Sequence, residues 1–273
     1  MSDDFEAWAA KNGEQPKISG RPLRVLLIDL ETAPMLAFIW RPDDAWIPHE
    51  RAQHDSFLIC WGAKWRDKPQ VLTGCLTSKE AVAQDDRRIV KDLADLIRSA
   101  DIVVAHNINR FDLPMLNNRM LLLGLDPLGP VKTMDTLILA RRSFRLLYNR
   151  LDYLGEVLGL GRKIKTDFDL WRKCYYGDTT ALAAMVKYNK RDVVLLGQVL
   201  ERLLPYAKGV PRMMDGDGTS ADGGCPFCGA KVVKRGLYHT GASTFQRVQC
   251  TACKRYSRWA TAKAAHKIRL RPL

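Results

Sequence analysis

The segment from Arg24 to Glu31 restricts the possible folds more than any other part of the chain. Its residues Val25, Leu26, Leu27 and Ile28 are apolar without alternation. A strand with one wet face alternates apolar and polar side chains, whereas an unbroken apolar run is covered on both faces. The spacing therefore predicts a central strand over 24–30. The run closes on Asp29 and Glu31, two carboxylates two residues apart, which share one face of a strand. They stand at its carboxyl end, where open α/β sheets place their sites. A buried carboxylate pair is costly unless a positive charge such as a metal ion neutralises it. A turn before Pro34, with Glu31 facing water, is the structural alternative.

Further strands are expected at 36–40, 57–64, 70–75, 101–105 and 131–134, where β-branched and aromatic residues gather. The stretch 41–56, with two prolines and many charges, reads as a loop. Helical spacing of apolar residues marks 78–99, 110–123, 136–142, 151–158 and 179–204. Gly124 is placed to end the second of these. Strands come first, then strands and helices alternate, so the expected fold class is α/β with a mixed sheet.

Two more acidic patches lie downstream. His106-Asn107 leads to Phe111-Asp112, which places Asp112 in the first turn of a helix after a strand. Compensation of the helix dipole explains that position equally well, and Asn107 suits an Asx turn. Tyr188 and Asp192 are four apart on the last helix and share a face. A half-buried aromatic beside a solvated acid is the plain alternative. Four carboxylates drawn from three elements suit two divalent cations that clamp a phosphodiester while water attacks it.

In this order and placement the patches resemble the DEDD 3′–5′ exonucleases, which have the RNase H-like fold. Ile28-Asp29-Leu30-Glu31-Thr32 looks like their first motif. Ala105-His106-Asn107-Ile108-Asn109-Arg110-Phe111-Asp112 looks like the second, in the form found in family B DNA polymerases. Tyr188 and Asp192 look like the third. One branch of the family has His five residues before the last Asp, the other Tyr four before it. Lys187 stands at the first spacing and Tyr188 at the second, so the match is to the tyrosine branch. The resemblance covers about Pro22 to Leu204. It implies Asp29, Glu31, Asp112 and Asp192 as ligands of two Mg²⁺ or Mn²⁺ ions, with Tyr188 positioning the water. It implies substrate contacts at Leu30, Thr32, Asn107 and Phe111. Leu151-Asp152-Tyr153-Leu154 resembles a helix that follows the second motif, and Asp135 and Asp152 are the reserve acids.

The carboxyl-terminal part differs in charge. The whole chain carries +13, and residues 205–273 hold 13 Lys and Arg against three Asp. A near-neutral body with a basic appendage points to a polyanionic partner, most simply nucleic acid. Cys225-Pro-Phe-Cys228 and Cys250-Thr-Ala-Cys253 give two pairs with the spacing of a four-thiolate structural zinc site. The segment resembles the zinc ribbons of transposases, transcription factors and primases. Hairpin strands are expected at 231–237 and 244–249. Lys and Arg interleave with Tyr238, Phe245, Tyr256 and Trp259, a recipe for gripping single strands. Those aromatics also serve as a small core, and a protein-docking ribbon is open too. Cys60, Cys75 and Cys174 read as inert buried thiols.

The expected organisation is a lead-in over 1–21, an exonuclease domain over 22–204 and a Gly-rich linker over 205–224. A zinc ribbon over 225–262 and a basic tail over 263–273 follow. No stretch is long and apolar enough to span a bilayer, and Met1 to Glu6 lacks a signal pattern, so a cytoplasmic protein is expected. The expected activity is metal-dependent 3′–5′ hydrolysis of DNA. An exoribonuclease on the same fold, an endonuclease and an inactive nucleic-acid-binding protein are the rivals. Protein partners are not legible.

Overall fold

The computed structural model describes residues 23–41, 46–207, 224–225, 228–240 and 244–259. They fall into two compact units, one within Arg24–Val210 and one within Pro211–Leu273 together with Met1–Leu23. The expected lead-in, the basic tail and most of the expected linker lie outside the described residues.

The larger unit is built on β1 (Val25–Thr32), β4 (Leu58–Trp65), β5 (Val71–Cys75), β6 (Ile102–Ala105) and β7 (Thr133–Asp135), in the order β5-β4-β1-β6-β7. β1 runs antiparallel to β4 and parallel to β6, β4 runs antiparallel to β5, and β6 runs parallel to β7. This is a mixed five-stranded sheet flanked by helices, an RNase H-like fold. As the apolar run predicts, β1 lies at the centre, with Leu26, Leu27 and Ile28 fully buried.

The helices are α1 (Ser78–Ala83), α2 (Arg87–Arg98), α3 (Asp112–Leu122), α4 (Thr136–Ser143), α5 (Leu151–Val157), α6 (Phe168–Tyr175) and α7 (Thr179–Leu203). α7 packs across β4, β1 and β5. A Cβ on Gly62 of β4 would meet Asn189 of α7 at 2.4 Å, so the missing side chain lets the helix approach the sheet. The adjacent Trp61 points to the other face, where its indole N–H donates to the Ile89 carbonyl of α2 at 2.8 Å. Among the described residues no helix is long and apolar enough to cross a membrane.

Two expectations change, and one helix is added. The helix expected over 78–99 is two helices. Gln84 adopts a left-handed φ of 55° and its amide donates to the Tyr175 hydroxyl at 2.7 Å. The break turns Asp86 inward, fully buried, where it accepts two bonds from Arg119 at 2.8 Å each and one from the Leu58 backbone. Only Leu36–Ala37 of the strand expected at 36–40 pairs, as β2, against β3 (Ala52–His54) inside the expected loop. Phe38, Ile39 and Trp40 stay exposed, since no sheet face covers them. Helix α6 has no counterpart among the expected helices; it starts on an Asp167 cap.

Losing one partner of a buried bidentate pair strands the other charge, which costs about 3–5 kcal/mol. Asp86→Ala is thus expected to lower unfolding free energy by about that amount in a urea titration. A loss below about 1 kcal/mol would show that the Asp86–Arg119 pair is not structural.

The smaller unit is a three-stranded antiparallel sheet in the order β10-β9-β8, with β8 at Val232–His239, β9 at Thr244–Cys250 and β10 at Tyr256–Arg258. The hairpin follows the expectation, and β10 adds a strand not foreseen. Its burial centres on Cys225, Cys250, Val248 and Arg255.

Candidate metal centres

Asp29 and Glu31 leave β1 on the α7 side of the sheet. Ligand oxygens of Asp29, Glu31 and Asp192 all lie within 4.8 Å of one another. Asp192 is fully buried on α7, one turn after Tyr188. Between them Asn189 donates to the Asp29 carboxylate at 2.8 Å and to its backbone carbonyl at 3.1 Å. Asp112 opens α3 and is not part of that tight trio. Its carboxylate takes the Leu30 backbone N–H, and its charge acts on both Asp29 and Glu31. The first and third patches thus meet in one carboxylate trio, and the second stands beside it through the charge of Asp112.

Lys163, in the loop between α5 and α6, was not anticipated. Its ammonium donates to Asp192 Oδ2 at 2.6 Å and to the Tyr188 hydroxyl at 3.4 Å. A lone lysine in an aperiodic segment leaves no sequence signal. Asn189 lay in view inside Tyr188-Asn189-Lys190-Arg191-Asp192, but its spacing carried no reading.

The site works against its own charge. Burial, then Glu31, hold the Asp29 carboxyl well above the usual carboxylate range. Burial pushes Glu31 up to about 7, although Lys163 and the Trp171 indole N–H favour its charged form. Burial likewise pushes Asp112 up to about 7, and raises Asp192 against the pull of Lys163. Burial opposes the charge on Lys163, yet Asp29 and Asp192 outweigh it and its pKa rises. Burial lifts the Tyr188 phenol to about 12, so it stays neutral.

These carboxylates fit a hard divalent cation, which prefers oxygen ligands. Asp192 Oδ1 is buried with no hydrogen-bond partner, and a bound cation would satisfy it.

The raised values set a stability trend. Glu31 and Asp112 bind protons more tightly in the folded, metal-free chain than in the unfolded one. That stabilisation is complete below the ordinary carboxylate range and is lost as pH rises through about 7. Protein dialysed free of Mg²⁺ and Mn²⁺ is therefore expected to melt several degrees lower at pH 8.5 than at pH 5.5. Asp112→Asn should flatten the slope, and Mn²⁺ should restore the melting point at the higher pH. A slope of the opposite sign, followed by fluorimetric melting, would contradict this electrostatic picture.

The remaining expected residues divide. Asn107 holds a left-handed φ of 79° and its N–H donates to Asp135 at 3.0 Å. It lines a cleft of about 640 Å³ with Asp29, His106, Arg150, Asp152 and Lys163. Phe111 is 41% exposed at the start of α3, and Thr32 lines a neighbouring groove with Trp171. The Leu30 side chain is in the core, so only its backbone faces outward chemistry. The reserve acids have structural work instead. Asp135 caps α4 through the N–H groups of Leu137 and Ile138, and Asp152 holds the Lys163 backbone and Arg162.

In the smaller unit the sulfurs of Cys225, Cys228, Cys250 and Cys253 lie within 4.8 Å of one another. Cys225 and Cys253 are 3.6 Å apart, Cys228 and Cys250 3.5 Å. Four thiolates at about 2.3 Å from one zinc stand about 3.8 Å apart, so the cluster matches the size of that ion. Gly229 and Lys254, each one residue past a pair, take left-handed φ of 73° and 61° and turn the chain back around the sulfurs. Burial opposes ionisation of Cys250, but the N–H groups of Cys253 and Ala252 bring it down to about 7. Arg258 lies over Phe245 at 3.7 Å and over Tyr238 at 5.5 Å, and Arg247 over Tyr256 at 5.5 Å.

No curated protein matches the chain. Among solved structures it is similar to the family B DNA polymerase from the hyperthermophilic archaeon Pyrobaculum calidifontis, with 22% identity and a TM-score of 0.49. That similarity covers 68% of this chain and 25% of the polymerase, so the chain spans about a quarter of it. The family model of the RNase_H superfamily matches residues 51–204, which carry Asp112, Lys163, Tyr188 and Asp192 but not β1. That span is more than half of the 273 residues, and the chain belongs to the RNase_H superfamily.

Proposed function

We propose that the chain is a divalent-metal-dependent 3′–5′ exonuclease of the tyrosine DEDD type, acting on single-stranded DNA ends. The observation that carries this reading is the convergence of Asp29, Glu31 and Asp192 within 4.8 Å, with the Asp112 charge acting on Asp29 and Glu31 and Tyr188 one helical turn from Asp192. Membership of the RNase_H superfamily supports nuclease chemistry, and the three motifs support the exonuclease type.

Bound Mg²⁺ or Mn²⁺ ions, two in the tyrosine branch, would supply an activated water and neutralise the phosphate. Asp29, Glu31, Asp112 and Asp192 are the residues to hold them. Asn189 orients Asp29, and the Leu30 N–H orients Asp112. Tyr188 keeps its proton at neutral pH and so positions water by hydrogen bonding instead of acting as a base. The Asn107 side chain and the exposed face of Phe111 are the contacts for the terminal nucleotide. The four-thiol cluster would hold one structural Zn²⁺. The basic, aromatic surface around Arg247 and Arg258 would retain the strand by phosphate contact and stacking.

Tyr188→Phe is expected to slow turnover by about ten- to a thousandfold, the scale of one lost orienting contact. Unchanged single-turnover rates would remove Tyr188 from the mechanism. The direction and substrate are tested on one gel of 3′- and 5′-labelled DNA and RNA with Mg²⁺ or Mn²⁺. Release of the 3′ label as mononucleotide, with 5′-labelled DNA shortening stepwise, is the expected result. Cutting of circular single-stranded DNA, or faster loss of RNA than DNA, would overturn it.

A further inference from the structure

Cys60 and Cys75 are 15 positions apart in the sequence and look unrelated there. The sheet makes them direct partners across β4 and β5. The Leu76 N–H donates to the Ile59 carbonyl at 3.0 Å. That bond, from the residue after Cys75 to the residue before Cys60, marks the two cysteines as a non-hydrogen-bonded antiparallel pair. Such pairs bring Cα atoms to about 4.5 Å and side chains closest together. Disulfides need Cα separations of about 4.4–6.8 Å, so the pair is spaced for one without moving the backbone. The two thiols already interact, Cys60 donating to Cys75.

The two sulfurs differ in access. Cys60 is buried and Cys75 only partly so. Beside Cys75, Arg88 donates to its carbonyl at 2.8 Å. The bond from Cys60, then the Arg88 charge, lower the Cys75 pKa despite burial. These are the features of a reactive thiol with a resolving partner.

We propose that Cys60 and Cys75 form a reversible disulfide under peroxide-class oxidants, and that the bond weakens the neighbouring carboxylate site. The Cys75 thiolate attacks a peroxide oxygen, the O–O bond breaks and, after protonation, Cys75 sulfenic acid and water result. The Cys60 sulfur then displaces hydroxide from that acid, and its thiol proton leaves with it as a second water. Two thiols lose two electrons to one hydrogen peroxide. The link to the carboxylate site is the sheet register: Glu31 of β1 stands opposite Cys60 of β4, and the ladder is irregular between Glu31 and Thr32. Turning the Cys60 side chain toward Cys75 changes what the Glu31 side chain, its cross-strand neighbour on the same face, packs against. This second half rests on the metal-site reading above.

The test uses the full chain, treated with hydrogen peroxide, alkylated and digested with trypsin without reduction. Peptides Ala52–Lys64 and Asp67–Lys79 are expected as one linked species, lost on dithiothreitol treatment and absent from Cys75→Ser. Recovery of both as separately alkylated peptides, or a Cys75 link to Cys174, would overturn the disulfide. Mn²⁺ titration of the same samples should show affinity falling about tenfold on oxidation, the scale of disturbing a contact that supports a ligand. It should recover with dithiothreitol and stay constant in Cys75→Ser. Equal affinity in both redox states would overturn the link to Glu31. A reduced protein that binds no Mn²⁺ would overturn the metal-site reading while leaving the peptide result intact.

Discussion

Asp192→Ala is expected to abolish cleavage of a single-stranded DNA 3′ end, with a loss beyond about a thousandfold. Asp192 is the most enclosed of the carboxylates and answers Lys163 at 2.6 Å. Its removal would delete one of the proposed ligands and leave an ammonium facing the place where the cation would sit. Asp29→Asn is the cleaner variant, because an amide oxygen can still accept from Asn189. Its activity should also vanish, yet without divalent cations at pH 8.5 its melting temperature should rise. Asp29 is destabilised by burial and by Glu31, so neutralising it relieves repulsion in the folded state. Lost activity with gained stability is the signature of a strained functional site, whereas simple misfolding would lower both.

The second large effect falls on the smaller unit. Cys250→Ser is expected to unfold β8, β9 and β10 while the unit within Arg24–Val210 stays folded. Among the described residues, four cysteine sulfurs converge there around little else than Val248 and Arg255. Structural zinc sites contribute about 10–16 kcal/mol, far more than so small an apolar core supplies. Zinc content should fall from one ion per chain to none, and proteolysis should remove the carboxyl-terminal segment first. DNA affinity and its salt dependence should drop, with hydrolysis of short oligonucleotides spared. A variant that keeps a folded ribbon without zinc would refute the structural metal site.

The parts legible in sequence were those with a strong period or a strong motif. The unbroken run Val25–Ile28 gave β1, and the long apolar stripe gave α7, so Asp29, Glu31 and Asp192 were placed by two robust elements. Asp112 followed because a strand and a helix start bracket it. What escaped depends on contacts between distant segments. Lys163 acts from a loop, where no periodicity constrains side-chain direction. The break between α1 and α2 depends on Arg119, 33 residues after the Asp86 it pairs with. The strand expected at 36–40 was read from β-forming residues, but β propensity is realised only against a sheet face. Cys60 and Cys75 read as separate thiols one residue at a time, and only the register of β4 and β5 makes them neighbours.

The central claim is that Asp29, Glu31, Asp112 and Asp192 exist to hold divalent cations. Crystals soaked in Mn²⁺ at about pH 8, read by anomalous diffraction, test it most directly. The account predicts anomalous density among these four carboxylates, with the Lys163 ammonium moved off Asp192. An empty carboxylate cluster in saturating Mn²⁺, with Lys163 still bound to Asp192, would contradict it.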